Sequence, residues 1–161
     1  MSALPLLMVV LEAARAVPLA TSRAPEVPML PAPAPVVVVH QDFGGRLYDY
    51  QKRVEEYRGR KVTVRIEGDC ASACTLLTAL PRQRVCVGPE ARLAFHQAYD
   101  PADPNDPQPE DVENRDDPGT ALFMRAYPKR LRAWLVERGG LTSHMLVLQG
   151  DVLRSMFRLC R

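Results

Sequence analysis

The chain has 161 residues, 47% of them hydrophobic, and a net charge of +2, which is enough for one domain with its own core. Its 21 basic residues are dispersed, which excludes the one-signed stripe of a nucleic-acid binder. The prolines concentrate between Pro18 and Pro35 and between Pro101 and Pro118, and these two stretches read as non-globular.

Residues 1–22 read as a secretory signal. An apolar run from Leu4 to Leu11 is followed by small residues around Ala14–Ala16 and Ala20–Ser22, either of which suits cleavage. No Lys or Arg precedes the run and Glu12 interrupts its end, and the run is too short to span a bilayer. A proline-rich linker over 23–35 leads to one domain over 36–161. The expected location is the periplasm or the exterior.

The domain opens on Val36-Val-Val-Val-His40, a β-branched run of the kind buried on both faces of a sheet. DFGG breaks it. Leu47, Tyr50, Val54 and Tyr57 then share one face of an amphipathic helix that stops at Gly59. Val62, Val64 and Ile66 alternate along a second strand, so a right-handed crossover makes the two strands parallel. Gly68-Asp69 turns into a short helix over about 71–80, which Pro81 ends. RVCVG and ARLAFH are two further strands. The acidic, proline-rich stretch over 100–118 reads as a mobile loop. One long helix is expected over 120–138, another opening at Thr142, and a last one over 152–159. The fold class is therefore α/β with a mostly parallel sheet and a helical C-terminal part.

Four cysteines, Cys70, Cys74, Cys86 and Cys160, fit two disulfides in an oxidising compartment. Three pairings are open. One of them joins Cys74 to Cys86 and Cys70 to Cys160. Zinc competes weakly, because Cys-x3-Cys with scattered partners lacks the paired close spacing of zinc modules. No metal and no organic cofactor is implied.

Three features meet at strand ends, where ligands gather in parallel α/β sheets. Gly44-Gly45 follows the first strand, Ser72 follows the second at a helix start, and His96 ends a later one. A serine hydroxyl is a weak nucleophile until a base takes its proton, and histidine is the usual base. Backbone amides of Gly45 and Ala73 suit the oxyanion, one bare of side chain and the other at a helix start. Small residues in CASAC leave room for a carbonyl beside Ser72. Taken singly, Ser72 reads as a helix-start cap and His96 as a satisfied strand-end residue; their joint order with Gly44-Gly45 carries the site reading. His144 reads as surface, Trp134 as core, and His40 has no evident partner.

This order resembles the proteolytic subunit of Clp protease and, more widely, the ClpP/crotonase superfamily. The intervals of 27 residues from Gly45 to Ser72 and 24 from Ser72 to His96 are similar to the family's. The resemblance covers about 36–96 and only loosely the remainder. It implies ββα-type units flanked by helices, Ser72 as nucleophile, His96 as general base, and Gly45 and Ala73 as oxyanion donors. CASACT is similar to a subgroup of exported ClpP-like bacterial proteins. Two departures stand out. The family's third member, an aspartate, falls at Leu148; Asp151 is the nearby candidate, and Asp100 is closer in sequence but opens the acidic loop. The proline before Gly-Gly is Phe43 here.

The leading expectation is an exported serine hydrolase, a peptidase or esterase. The first alternative is a non-catalytic relative that binds a peptide or envelope partner, and the lesser one is a crotonase-type acyl-CoA enzyme. Expected partners are a peptide or protein substrate and, by family analogy, further copies of the chain; an ATP-driven partner is not expected outside the cytoplasm.

Overall fold

The computed structural model describes residues 33–99 and 117–161. The expected leader, most of the proline-rich linker, and the acidic loop apart from Asp117 and Pro118 lie outside the described residues, as does Asp100.

Six strands form one curled, mixed sheet, and helices pack beside it. β1 (Val36–Asp42) leads through α1 (Leu47–Gly59) to β2 (Thr63–Ala71), and β1 and β2 pair in parallel, as the strand–helix–strand pattern requires. β2 is the axis of the sheet. β1 lies along one of its edges, while the other edge is shared in tandem by two strands. β3 (Val85–Val87) pairs with Val64–Ile66, and β4 (Arg92–Phe95) pairs with Asp69–Ala71, both parallel. The sheet therefore forks at Glu67–Gly68. One branch ends in β6 (Arg158–Leu159), parallel to β3, and the other in β5 (Leu146–Gln149), antiparallel to β4.

The close approach of β1 and β2 needs glycine at the fork. A Cβ on Gly68 would stand 2.0 Å from the carbonyl oxygen of His40. The register also shifts between Val39 and Gln41, so the bulge in β1 is fitted against a bare backbone.

Several expectations are corrected. The valine run is not buried on both faces: β1 pairs only with β2 among the described strands, and Val36 and Val38 are exposed while Val39 is buried. The short helix expected after β2 is present, and it winds as a 3-10 helix, Ser72–Ala79. Its threonines favour that tighter winding, since Thr75 and Thr78 each donate a hydroxyl to the carbonyl three residues back, at 2.6 and 2.7 Å.

The expected long helix is two, α2 (Pro118–Ala126) and α3 (Lys129–Val136). Pro128 between them forces Tyr127 into the extended region, at φ −66° and ψ 145°. No helix opens at Thr142. Leu146–Gln149 instead pairs with β4, because alternation of Leu146 and Leu148 inward fills the sheet edge. The last helix, α4, is Gly150–Met156, and β6 follows it.

The core gathers Val64 and Ile66 of β2, Leu76 and Leu77 of the 3-10 helix, Phe95 of β4, and Leu131, Trp134 and Leu135 of α3. Phe95 meets the Tyr127 ring edge-on at 5.5 Å and the Trp134 ring at 6.2 Å. This cluster fixes the end of β4, from which His96 projects.

Two disulfides are present, Cys70–Cys74 and Cys86–Cys160. They fit a protein of an oxidising compartment outside the cytoplasm. They also correct the pairing of Cys74 with Cys86 and Cys70 with Cys160. Cys70, the penultimate residue of β2, lies four residues before Cys74 and is joined to it across the turn, with Cα atoms 5.4 Å apart. Cys86 and Cys160 are instead brought together by the parallel pairing of β3 with β6. No helix among the described residues is long and apolar enough to cross a membrane.

Candidate active site

The C-terminal ends of β1, β2 and β4 converge on one edge of the sheet, and each delivers part of a cavity of about 560 Å³. Gly44, Gly45, Ser72 and His96 all line it, together with the aromatic residues Phe43, Tyr48, Tyr99 and Phe123.

Ser72 sits at the junction of β2 and the 3-10 helix with φ +52°. A non-glycine residue in the left-handed region is uncommon and costs on the order of 1–3 kcal/mol. The surroundings hold it there from three sides. The Cys70–Cys74 disulfide closes the turn around it. Thr75 donates its hydroxyl proton to the Ser72 carbonyl at 2.6 Å, so the Tyr127 hydroxyl, also 2.6 Å from Thr75 Oγ1, is the donor in that second bond. Both side chains are buried, and burial pushes the Tyr127 phenol up from its ordinary value.

The third support is Gly44, at φ +86°. A Cβ there would lie 2.8 Å from Ala71 O, Ala73 N and Ser72 Cβ alike, so only glycine lets the loop after β1 lie against the serine turn. Gly45, at φ +148°, has open space on its Cβ side.

His96 is half-buried beside Tyr99, their ring centroids 6.0 Å apart. Its Nδ1 lies 2.5 Å from the carbonyl oxygen of Gln97. A carbonyl only accepts, so Nδ1 carries the proton, and in the neutral ring Nε2 is the basic nitrogen. The following chain is anchored as well. Gln97 N–H donates to Thr142 O, and Ala98 N–H donates to the Thr120 hydroxyl, both at 2.8 Å. Asp117, the N-cap of α2, holds Thr120 N–H in turn. No hydrogen bond joins Ser72 to His96 among the described residues, although both line the cavity.

Asp151 is not brought to the histidine. Arg92 lies opposite Gln149 and Phe95 opposite Leu146, so His96 and Asp151 continue from opposite ends of β4. With about 3.3 Å per strand residue they stand well over 10 Å apart. The Asp151 side chain is 98% exposed and accepts from Arg154 at 2.7 Å. Leu148 is buried opposite Leu93.

Asp42, which no catalytic motif in the sequence marks, stands beside the glycine loop. Asp42 Oδ1 accepts from Gly44 N–H at 2.9 Å and from the Tyr50 hydroxyl at 2.5 Å, while Arg53 stands 3.6 Å from Oδ2 and 4.3 Å over the Tyr50 ring. Burial first, then the hydrogen bond and negative charge of Asp42, pushes the Tyr50 phenol up to about 12, with Arg53 opposing. Asp-x-Gly is a turn signal in its own right. Among the described residues no group of three or more His, Cys, Asp or Glu gathers as a metal site would need. Compared with known protein families, curated proteins and solved structures, the chain matches none.

Proposed function

We propose that this protein is an exported hydrolase of carboxylic esters or peptides, periplasmic or secreted, related to the ClpP/crotonase superfamily, with Ser72 as nucleophile and His96 as general base. The observation that carries the reading is the strained turn at Ser72 on a cavity shared with His96 and Gly44-Gly45. Strain of this kind is maintained where the surroundings over-determine it, and such places cluster at active sites.

In the first half-reaction Ser72 Oγ bonds to the substrate carbonyl carbon and its proton passes to His96 Nε2. The carbonyl oxygen becomes an oxyanion that accepts from the N–H groups of Gly45 and Ala73. Collapse breaks the bond to the leaving alcohol or amine, which takes the proton from Nε2. Water then repeats the sequence on the acyl-serine and releases the acid. The Gln97 carbonyl does the orienting that an aspartate does in the related proteases: it keeps the proton on Nδ1 and the lone pair on Nε2. It brings no full charge to stabilise the imidazolium, so turnover is slow.

A second reading, a non-catalytic cleft that binds a peptide or envelope partner, is favoured by one observation: Ser72 and His96 do not hydrogen-bond. Catalytic hydrogen bonds in unliganded sites are often long and tighten with substrate, so the first reading is preferred. A crotonase-type acyl-CoA enzyme, the third reading, needs carboxylates for proton transfer, and among the described residues none that lines the cavity is Asp or Glu.

The test is labelling of the folded, oxidised protein with a fluorophosphonate, beside Ser72→Ala and His96→Ala. Labelling of the wild type that both substitutions abolish supports the hydrolase. A folded wild type that resists labelling yet binds extended peptides supports the second reading.

A further inference from the structure

The loop that carries the Gly45 N–H has no regular structure of its own to hold it. Gly44 and Gly45 both have positive φ, and glycine is the residue least inclined to keep one conformation. An oxyanion donor is useful only when it is fixed before the reaction, because a donor that must be ordered during the reaction gives up part of its stabilisation. Something outside the loop has to fix it. Gly44 packs on the serine turn from one side. The loop's only side-chain hydrogen bond among the described residues is the one that Gly44 N–H donates to Asp42, the last residue of β1.

Asp42 is itself fixed. The Tyr50 hydroxyl, from a side chain 5% exposed on α1, donates to the same carboxylate oxygen that holds Gly44 N–H. Arg53, one turn further along α1, faces the other oxygen and lies over the Tyr50 ring. The carboxylate is thus tied to the helix that follows the loop, so both ends of the glycine loop are fastened to one point. A charged acceptor makes each of these bonds stronger than a neutral one would be.

We propose that Asp42, held by Tyr50 and Arg53, is a positioning residue that sets the Gly44-Gly45 loop in the conformation in which Gly45 N–H faces the cavity. The catalytic part of this rests on the hydrolase reading; the loop-setting part does not.

The experiment compares wild type with Asp42→Ala, Asp42→Asn and Tyr50→Phe. Two quantities are read for each: amide hydrogen exchange at Gly44, resolved by NMR, and the saturation kinetics of fluorophosphonate labelling at Ser72. Asp42→Ala is expected to speed Gly44 exchange about ten- to a hundredfold and to slow the maximal labelling rate by a similar factor. Exchange at Val64 and Ile66 in β2 and the reagent's half-saturation concentration stay within about threefold, since neither the core nor initial binding depends on the loop donor. Asp42→Asn keeps Oδ1 as an acceptor and restores both readouts to within about threefold of wild type. Tyr50→Phe removes one anchor of the carboxylate and falls between the two.

Unchanged Gly44 exchange in Asp42→Ala overturns the proposal. So does faster exchange with an undiminished labelling rate, because the loop would then be held but not for catalysis. If Asp42→Ala fails to fold, Tyr50→Phe decides in its place, and identity with wild type in both readouts overturns the proposal. A wild type that never labels removes the hydrolase reading instead, and Gly44 exchange alone then decides whether Asp42 sets the loop.

Discussion

Removing the two disulfides separately should affect stability very unequally. Cys86–Cys160 closes a loop with a sequence separation of 74, and Cys70–Cys74 one of 4. The chain-entropy relation gives about 4.4 kcal/mol for the first and about 1.9 kcal/mol for the second at 25 °C. For a domain of this size these correspond to falls in Tm on the order of 15 °C and 6 °C. The perturbations are the paired substitutions C86A/C160A and C70A/C74A, each of which leaves the other bridge intact and no odd thiol. Urea unfolding followed by circular dichroism measures them, with non-reducing peptide mapping to confirm the remaining bridge. The functional effect should run the other way. The short bridge encloses Ser72, so C70A/C74A should lose most of its fluorophosphonate labelling at temperatures where it is fully folded, whereas C86A/C160A should keep it. A C86A/C160A variant no less stable than C70A/C74A would refute the entropic reasoning. Full labelling of folded C70A/C74A would refute the view that this bridge holds the serine turn.

Ser72→Gly should raise stability by up to about 1 kcal/mol, because relief of the left-handed strain exceeds the extra freedom of glycine in the unfolded chain; a melting temperature below that of wild type would count against strain at this position. Gly44→Ala should cost roughly 2–4 kcal/mol and Gly45→Ala clearly less, since only the first meets backbone atoms at 2.8 Å; equal losses in denaturant titrations would contradict the packing described. Thr75→Val leaves the Tyr127 hydroxyl and Ser72 carbonyl without their partner in the core and should cost about 1–3 kcal/mol, against about 1 kcal/mol for Tyr127→Phe; calorimetry of the two variants ranks them. Tyr50 keeps its proton in the folded protein up to about pH 12 but gives it up near its ordinary value of 10 once unfolded, so its contribution is complete below pH 10 and lost as pH rises to 12; melting temperatures should fall across that window, and less steeply in Tyr50→Phe.

The front half of the domain was legible because its signals are local. Alternation at Val62, Val64 and Ile66 and the apolar face of α1 fix a strand–helix–strand unit, and handedness fixes the strand ends at which Gly44-Gly45, Ser72 and His96 meet. The back half was less legible because pairing across the sheet decides it. Leu146–Gln149 serves as a strand only because β4 offers a free edge there, and nothing within LTSHMLVLQ announces that edge. Pro128 is a different case: its effect on Tyr127 is local, and the break between α2 and α3 was open to reading. Asp42 and Thr75 are not legible in the sequence because their importance lies in whom they bond, and a carboxylate at a strand end or a hydroxyl in an apolar segment names no partner by itself. The family pattern points to an acid behind His96, while its Nδ1 partner is the carbonyl of its own neighbour, which any residue at 97 would supply.

The connectivity of the cysteines sets a timetable for the newborn chain. Cys70 and Cys74 can join as soon as both have emerged, and at about 5–20 residues per second Cys160 follows Cys86 by several seconds or more. During that interval Cys86 has no correct partner within reach, and the earlier closure of Cys70–Cys74 keeps it from Cys74. A chain oxidised only after Cys86 has emerged can instead be trapped as Cys74–Cys86, with the turn around Ser72 undone until a thiolate attacks and reshuffles the bond. The short bridge, by closing first, thus protects the pairing of the long one.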